Sequence, residues 1–328
     1  MLGTWMRRFL LEHLILERNL SRNTQRSYRD TFCLLVKFVS KLQKKAGDRL
    51  LVVDITGECV RQFLGNLETE RGCSVRTRNQ RLAALHAFAR YVGDHNPELI
   101  PWCRAVRLVP FKRADKNPLT YLEKNEMDAI LAAASLATKQ GRRDHAILLF
   151  LYNSGGRASE VTALTIGDIE RHSNGAGTAK LHGKGGKMRF CPLWNKTIDE
   201  LKPLMDQRAV SDTLFLNRYG RPLSRFGIRD IVKRYAALAE ARTPSLSNKQ
   251  VSPHTIRHTT ATHLLRSGVD INTIRAWLGH VSLDTTNIYA EIDIEAKAKA
   301  LATCEIEGST TTRPWRENIT LMEFLRSL

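Results

Sequence analysis

Prolines interrupt the chain about a third of the way along its 328 residues. They are Pro97, Pro101, Pro110 and Pro118. Proline lacks a backbone N–H and restricts the residue before it, so a long helix does not continue through such a segment. We therefore expect a helical domain over residues 1–93 and a second domain over residues 119–301. A linker over 94–118 joins them, and a tail over 302–328 follows.

The first part of the chain has apolar residues at helical spacing behind residues that favour helix starts. Ser21 and Thr56 each precede such a segment, and a third segment begins near Val75. The same segments carry many basic residues. We therefore expect this part to consist of helices with basic faces.

The second part is expected to combine helices with a small sheet. Thr120 and Glu123 have the spacing of a capping box ahead of an alanine-rich helix. Residues 177–193 are typical of strand, turn and strand, with Gly185 and Gly186 as a two-residue hairpin turn. The predicted fold class is therefore mainly α with a small antiparallel β-sheet.

A large basic surplus runs along the whole chain. The formal charge is +18, of which +10 lies in residues 1–115 and +8 in the remainder. Such a surplus implies a polyanionic partner, either nucleic acid or a membrane surface. No run reaches about 18 apolar residues, so we do not expect a membrane partner. The six cysteines form no CxxC pair and fit a reducing cytoplasm.

The sequence HTIRH at residues 254–258 has three interpretations. Histidines four residues apart share a helix face, as in zinc proteases, but the first histidine here precedes Thr255 instead of the required glutamate. Arg257 would also repel a dication, so we expect no metal. His258 and the later His263 are interpreted as packing or capping residues. His254 and Arg257 have the spacing to hold two oxygens of one phosphate.

Further cationic residues stand at positions suited to an anion. Arg157 follows a glycine pair at an expected helix start, and Glu160 one turn later would fix its orientation. Lys184 lies on the glycine-rich turn and would reach into a cleft without steric cost. His280 follows the helix-terminating Gly279.

Five motifs in this order resemble the tyrosine recombinase (phage integrase) family, over about residues 20–301. They are GRASE at 156–160, HGKGGK at 182–187, HTIRH at 254–258, LGH at 278–280 and Tyr289. The resemblance implies a helical core-binding domain followed by an α+β catalytic domain. Gly156 departs from the family pattern, in which a larger apolar residue often precedes the arginine.

The resemblance also implies a role for each matching residue. Arg157 and Arg257 match the phosphate-binding arginines, and Glu160 matches the acidic residue that supports the first of them. The remaining catalytic positions are the hairpin Lys184, the histidines His254 and His280, and the nucleophile Tyr289. We expect further DNA contacts from basic residues, namely Arg22, Arg26, Arg76, Arg78, Arg81, Lys112, Arg113 and Lys187.

The function implied is site-specific DNA recombination through a 3′-phosphotyrosine, without ATP, metal or cofactor. The partners expected are a double-stranded recombination site, further copies in a homotetramer and partner recombinases, in a bacterial cytoplasm on the nucleoid. The tail over 302–328 is predicted to dock on a neighbouring subunit. Mobile-element integration, excision or transposition is favoured over chromosome dimer resolution. A type IB topoisomerase-like enzyme and a non-catalytic DNA-binding relative are the alternatives, and a general nucleic-acid scaffold fits the charge alone.

Overall fold

The structure is a computed structural model that describes residues 1–114, 119–173, 175–183 and 186–279. The chain divides into two compact units, Met1–Asn117 and Pro118–Leu328. The predicted positions Lys184, His280 and Tyr289 lie outside the described residues, as does the tail.

Helices joined by turns and short loops make up the described part of the first unit. Ser21 and Thr56 cap two of its helices by accepting hydrogen bonds from Thr24 and Cys59 backbone N–H groups, as predicted. The helices are α1 (Leu2–Arg8), which continues as a π-helix over Phe9–Glu17, α2 (Arg22–Gln43), α3 (Gly57–Thr69), α4 (Val75–His95) and α5 (Ile100–Arg107).

Aromatic rings form the centre of this unit. Phe9, Phe32 and Phe88 are buried, and their centroids lie 5.1 to 5.9 Å apart in edge-to-face geometry. Such pairs add to the stability that apolar burial provides. The apolar stripe read from the sequence of α2 therefore packs against α4.

Residues 97–107, which were assigned to the linker from their proline content, are helical and packed. Pro97 begins a 3-10 turn and Pro101 lies in the first turn of α5, where no N–H partner is required. Cys103 and Val106 are buried, and the Trp102 indole donates to the Ile55 carbonyl over 2.8 Å. Proline here starts helices, so residues 97–107 form helices where the proline content predicted a break.

The second unit consists of a small sheet and the helices that pack around it. Its strands pair antiparallel in the order β1, β2, β3, which confirms the predicted fold class. The elements are α6 (Lys124–Ala132), α7 (Lys139–Ser154), α8 (Ala158–Ala163), β1 (Ile169–Arg171), β2 (Gly177–His182), β3 (Met188–Leu193), α9 (Asn195–Met205), α10 (Arg225–Glu240), α11 (Pro253–Arg266) and α12 (Ile271–Leu278).

Two local predictions in this unit were wrong. The pairing of β2 with β3 ends at His182 and Met188, so five residues connect the strands where two were expected. The Gly183 N–H donates to the Lys187 carbonyl over 2.7 Å. The first capping box lies one turn later than predicted, between Glu123 and Glu126.

Helix α7 is buried along nearly all of its length and ends at Gly155. Gly155 has a left-handed backbone with φ of +58°, and a Cβ there would lie 2.6 Å from Leu278 Cδ2. The close contact between the end of α7 and α12 therefore requires glycine at this position.

In the described ranges, no helix is long and apolar enough to cross a bilayer.

Substitution of Gly155 by alanine should lower the free energy of unfolding more than substitution of Gly268. Both glycines have positive φ, but a Cβ on Gly268 meets nothing within 4 Å. Gly268→Ala should therefore cost only the left-handed penalty of about 1–2 kcal/mol. Gly155→Ala should add about 1–3 kcal/mol for displacing Leu278. Urea denaturation of both variants measures the difference, and equal losses would contradict this packing role.

Candidate active site

A cavity of about 260 Å³ opens where α8, α10 and α11 begin. We call it the cationic cavity because arginines predominate among the side chains around it. Its lining comprises Arg157, Ala158, Arg225, Phe226, Arg229, Ser252, Pro253, His254 and Arg257. Three of the predicted site residues, Arg157, His254 and Arg257, thus border one space.

Arg257 lies on α11 and is only 1% exposed. Its Nη1 donates to the Gly155 carbonyl and its Nη2 to the Leu278 carbonyl, both over 2.6 Å. These acceptors are the last turn of α12 and the residue that ends α7. The guanidinium plane is therefore fixed between three helices while it borders the cavity.

Arg157 is held by the carboxylate predicted to support it. Its Nη1 donates to Glu160 Oε1 over 2.8 Å, and its backbone N–H donates to Glu160 Oε2 over 2.9 Å. The Arg157 side chain keeps 39% of its surface exposed, whereas Glu160 keeps 3%. Glu160 therefore orients Arg157 from inside the protein, and the guanidinium faces the cavity.

A second arginine binds the same carboxylate. Arg189 on β3 donates from Nη2 to Glu160 Oε2 over 2.6 Å. Burial raises the pKa of Glu160, but the hydrogen bonds from Arg189 and Arg157 outweigh burial and hold that pKa at about 2. Glu160 is therefore ionised throughout the neutral pH range.

His254 occupies the first turn of α11, which begins at the Ser252 cap. Desolvation lowers the pKa of His254 below its ordinary value, and the guanidinium charges of Arg257 and Arg157 lower it further. His254 is exposed beside these two guanidinium groups, and partial desolvation and the neighbouring charges both favour the uncharged ring. His254 is therefore neutral at pH 7 and available as a proton acceptor.

The two histidines interpreted as packing residues lie farther along α11. The His258 ring lies edge-on to His254, with centroids 4.1 Å apart. His263 Nδ1 is 2.7 Å from the Tyr152 hydroxyl, which ties α11 to α7. These contacts agree with the structural interpretation of both residues.

Sequence reasoning missed the three cavity residues in the first turns of α10, which are Arg225, Phe226 and Arg229. Arg225 and Arg229 stand four positions apart behind the Ser224 cap. Their guanidinium carbons lie 4.8 and 5.8 Å from the Phe226 ring centroid, and this ring is 54% exposed. Two arginines at this spacing on one helix face were a signal available in the sequence.

The basic residues of the first unit separate into two groups. Arg22, Arg26, Arg76 and Arg113 are exposed, and Lys112 is exposed beside Glu68. Lys187 in the second unit is exposed as well.

Arg78 and Arg81 have structural contacts instead. Arg78 is 5% exposed and donates to the Pro110 carbonyl over 2.9 Å, so its assignment as a phosphate contact is corrected. Arg81 is partly buried and donates to the Ser27 carbonyl and the Thr31 hydroxyl.

Family-level comparison covers both units. Residues 120–295 match the Phage integrase family. Residues 8–94 match the Phage integrase, N-terminal SAM-like domain. Together these matches include all the residues that line the cationic cavity and most of the helical first unit.

Individual relatives align with most of the chain. A putative integrase/recombinase, y4rC of Sinorhizobium fredii, is 38% identical over 323 residues, which are 98% of this chain and 96% of that protein. Tyrosine recombinase XerC of Pelobacter propionicus is 33% identical over 293 residues, or 86% of this chain and 89% of that one.

Solved structures share the fold at low sequence identity. XerH site-specific recombinase bound to difH substrate has a TM-score of 0.67 and 23% identity, and the match covers 88% of this chain and 81% of that one. The Tn1549 transposon integrase in complex with a circular intermediate DNA has a TM-score of 0.66 and 17% identity, covering 90% and 99%. The matches in sequence and the shared fold agree, and the chain belongs to the phage integrase family as a tyrosine recombinase.

Proposed function

We propose that the chain cleaves and rejoins double-stranded DNA at specific sites through a 3′-phosphotyrosine intermediate. The observation that carries this proposal is the convergence of Arg157, His254 and Arg257 on one cavity, in a chain of this family. The DNA-bound recombinases that share its fold support DNA as the partner.

The cavity suits a phosphate that gains charge during attack. Two guanidinium groups in fixed positions offer hydrogen bonds to non-bridging oxygens, and they need no rearrangement as the phosphorane forms. Tyrosine has an ordinary pKa of about 10, so ionising it at pH 7 costs about 4 kcal/mol. The positive field of Arg157 and Arg257 would reduce that cost for Tyr289.

The proposed step moves two protons in opposite directions. The Tyr289 oxygen bonds to phosphorus as the bond from phosphorus to the 5′-oxygen breaks. The neutral His254 accepts the phenolic proton or donates to the phosphate, and the Lys184 ammonium protonates the departing 5′-oxygen. His280 donates to a non-bridging oxygen. Attack by a 5′-hydroxyl of another strand reverses the step and seals the new junction.

The biological setting proposed is movement of a mobile element in a bacterial cytoplasm. The relative y4rC is described as an integrase/recombinase, and a transposon integrase shares the fold, which supports this choice. We propose a homotetramer on paired sites, with the tail over 302–328 docked on a neighbouring subunit. A type IB topoisomerase would instead relax supercoiled plasmid without dependence on a site.

Replacement of Tyr289 by phenylalanine should abolish covalent capture of DNA. A nicked suicide substrate carrying the DNA that flanks the gene is mixed with the protein and resolved on a denaturing gel. The wild-type chain should give a band of protein-linked DNA, because the short fragment between the cleavage site and the nick diffuses away and cannot be rejoined. Tyr289→Phe should bind the same DNA without the band, whereas a band of equal strength in this variant would exclude Tyr289 as the nucleophile.

The cleavage rate should stay nearly constant as the pH falls toward the ordinary pKa of histidine. The pKa of His254 is lowered, so the neutral ring persists at pH values where a typical histidine is half protonated. Single-turnover cleavage should therefore change by less than about twofold between pH 7.5 and pH 6.5. At still lower pH the wild-type rate should decline as His254 becomes protonated, and His254→Gln should remove that decline. A midpoint of the wild-type decline at or above an ordinary histidine pKa would contradict this role.

Arg225 and Arg229 should contribute phosphate contacts beside the cavity. Loss of one such contact should weaken binding across DNA sequences and lower the slope of log K against log salt by about 0.9. Binding of Arg225→Gln and Arg229→Gln is measured by fluorescence anisotropy at several salt concentrations. The matched control is Arg242→Gln, an exposed arginine at the other end of α10. Equal slopes in all three variants would exclude contacts specific to the cavity.

A further inference from the structure

Arg189 is a largely enclosed cation that the proposed reaction does not use. It lies on β3, and its side chain is 9% exposed. Along this strand Cys191 and Leu193 are buried and alternate with the exposed Met188 and Phe190. Arg189 therefore occupies an inward-facing position that an apolar residue would ordinarily fill.

The contacts of Arg189 reach two separate helices of the second unit, α8 and α12. Its Nη2 donates to Glu160 Oε2 over 2.6 Å, and its Nε donates to the Trp277 carbonyl over 2.8 Å. Glu160 orients Arg157, and Trp277 lies in the last turn of α12, whose next residue Leu278 supplies an acceptor of Arg257. One guanidinium thus joins the groups that support Arg157 and Arg257.

Two glycines leave room for this side chain. A Cβ on Gly279 would lie 3.2 Å from both Cδ and Nη1 of Arg189, and a Cβ on Gly183 would lie 3.7 Å from Nη1. Gly183 directly precedes Lys184, and Gly279 directly precedes His280. The guanidinium therefore lies between the two backbone segments that lead into these predicted catalytic residues.

We infer that Arg189 is a positioning residue for strand cleavage, which acts by fixing Glu160 and the end of α12 in one geometry. This inference rests on the proposed function. A planar guanidinium fits the role because it donates in two directions at fixed angles, which a lysine ammonium on a flexible stem does not reproduce. Its loss should misplace the cavity arginines without removing any group that contacts DNA.

The test compares Arg189→Lys with a matched control, Arg143→Lys. Arg143 is a similarly enclosed arginine of the same unit, with 15% of its side chain exposed. Its Nε donates to Asp144 over 2.9 Å and its Nη1 to the Leu216 carbonyl over 3.2 Å, outside the cationic cavity. Both substitutions therefore replace a largely enclosed guanidinium with a single ammonium.

Single-turnover cleavage should fall by about tenfold to a hundredfold in Arg189→Lys, because small misplacements of catalytic groups have effects of that size. The dissociation constant for DNA should stay within about twofold, since the phosphate-facing side chains are retained. Arg143→Lys should keep its cleavage rate at a comparable melting temperature. Equal losses of cleavage in the two variants, in step with melting temperature, would show that Arg189 has only a structural role.

Hydrogen–deuterium exchange tests the same inference without DNA. Exchange over residues 157–163 and 274–279 should be faster in Arg189→Lys than in the wild type, and unchanged in Arg143→Lys. Unchanged exchange in Arg189→Lys would overturn the inference whatever the cleavage result. A wild-type chain that forms no covalent product would refute the proposed function and leave exchange to decide on Arg189.

Discussion

The buried guanidinium of Arg257 is the interaction on which the rest of the site depends. Enclosing a cation at 1% exposure is costly unless the protein supplies acceptors in good geometry. The carbonyl oxygens of Gly155 and Leu278 do so, and they fix the ends of α7 and α12 against α11. The left-handed Gly155 also begins the turn that leads to Arg157. The buried charge of Arg257 thus fixes the backbone from which Arg157 follows.

The arginines around the cationic cavity provide a positive field that favours binding of an anion. Arg157, Arg225, Arg229 and Arg257 all border it, and their mutual repulsion opposes folding. The ionised Glu160 offsets part of that repulsion from a buried position, behind the guanidinium that it orients. A phosphate would therefore enter a fixed positive field, which is the condition for stabilising a charged transition state without reorganisation.

The sequence predicted mostly features that depend on neighbouring residues, and several of the features that it missed depend on distant ones. The caps at Ser21 and Thr56, the mainly α fold and the pair of Arg157 with Glu160 all follow from spacings within one turn. The five-residue hairpin connection and the helix that begins near Pro101 depend on packing partners far along the chain.

For arginine, sequence alone separates poorly a residue that contacts phosphate from one that binds groups inside the protein. Arg78 and Arg189 have other basic residues close by in the sequence and Arg157 has none, yet of the three only Arg157 keeps a large part of its side chain exposed. Arg78 instead binds the Pro110 carbonyl, and Arg189 binds the Trp277 carbonyl. Whether an arginine contacts phosphate therefore depends on how many protein acceptors its donors meet, and those acceptors come from distant parts of the chain. The alternation along β3 is the one local sign that Arg189 faces inward, because a cation between buried positions requires an acceptor inside the protein.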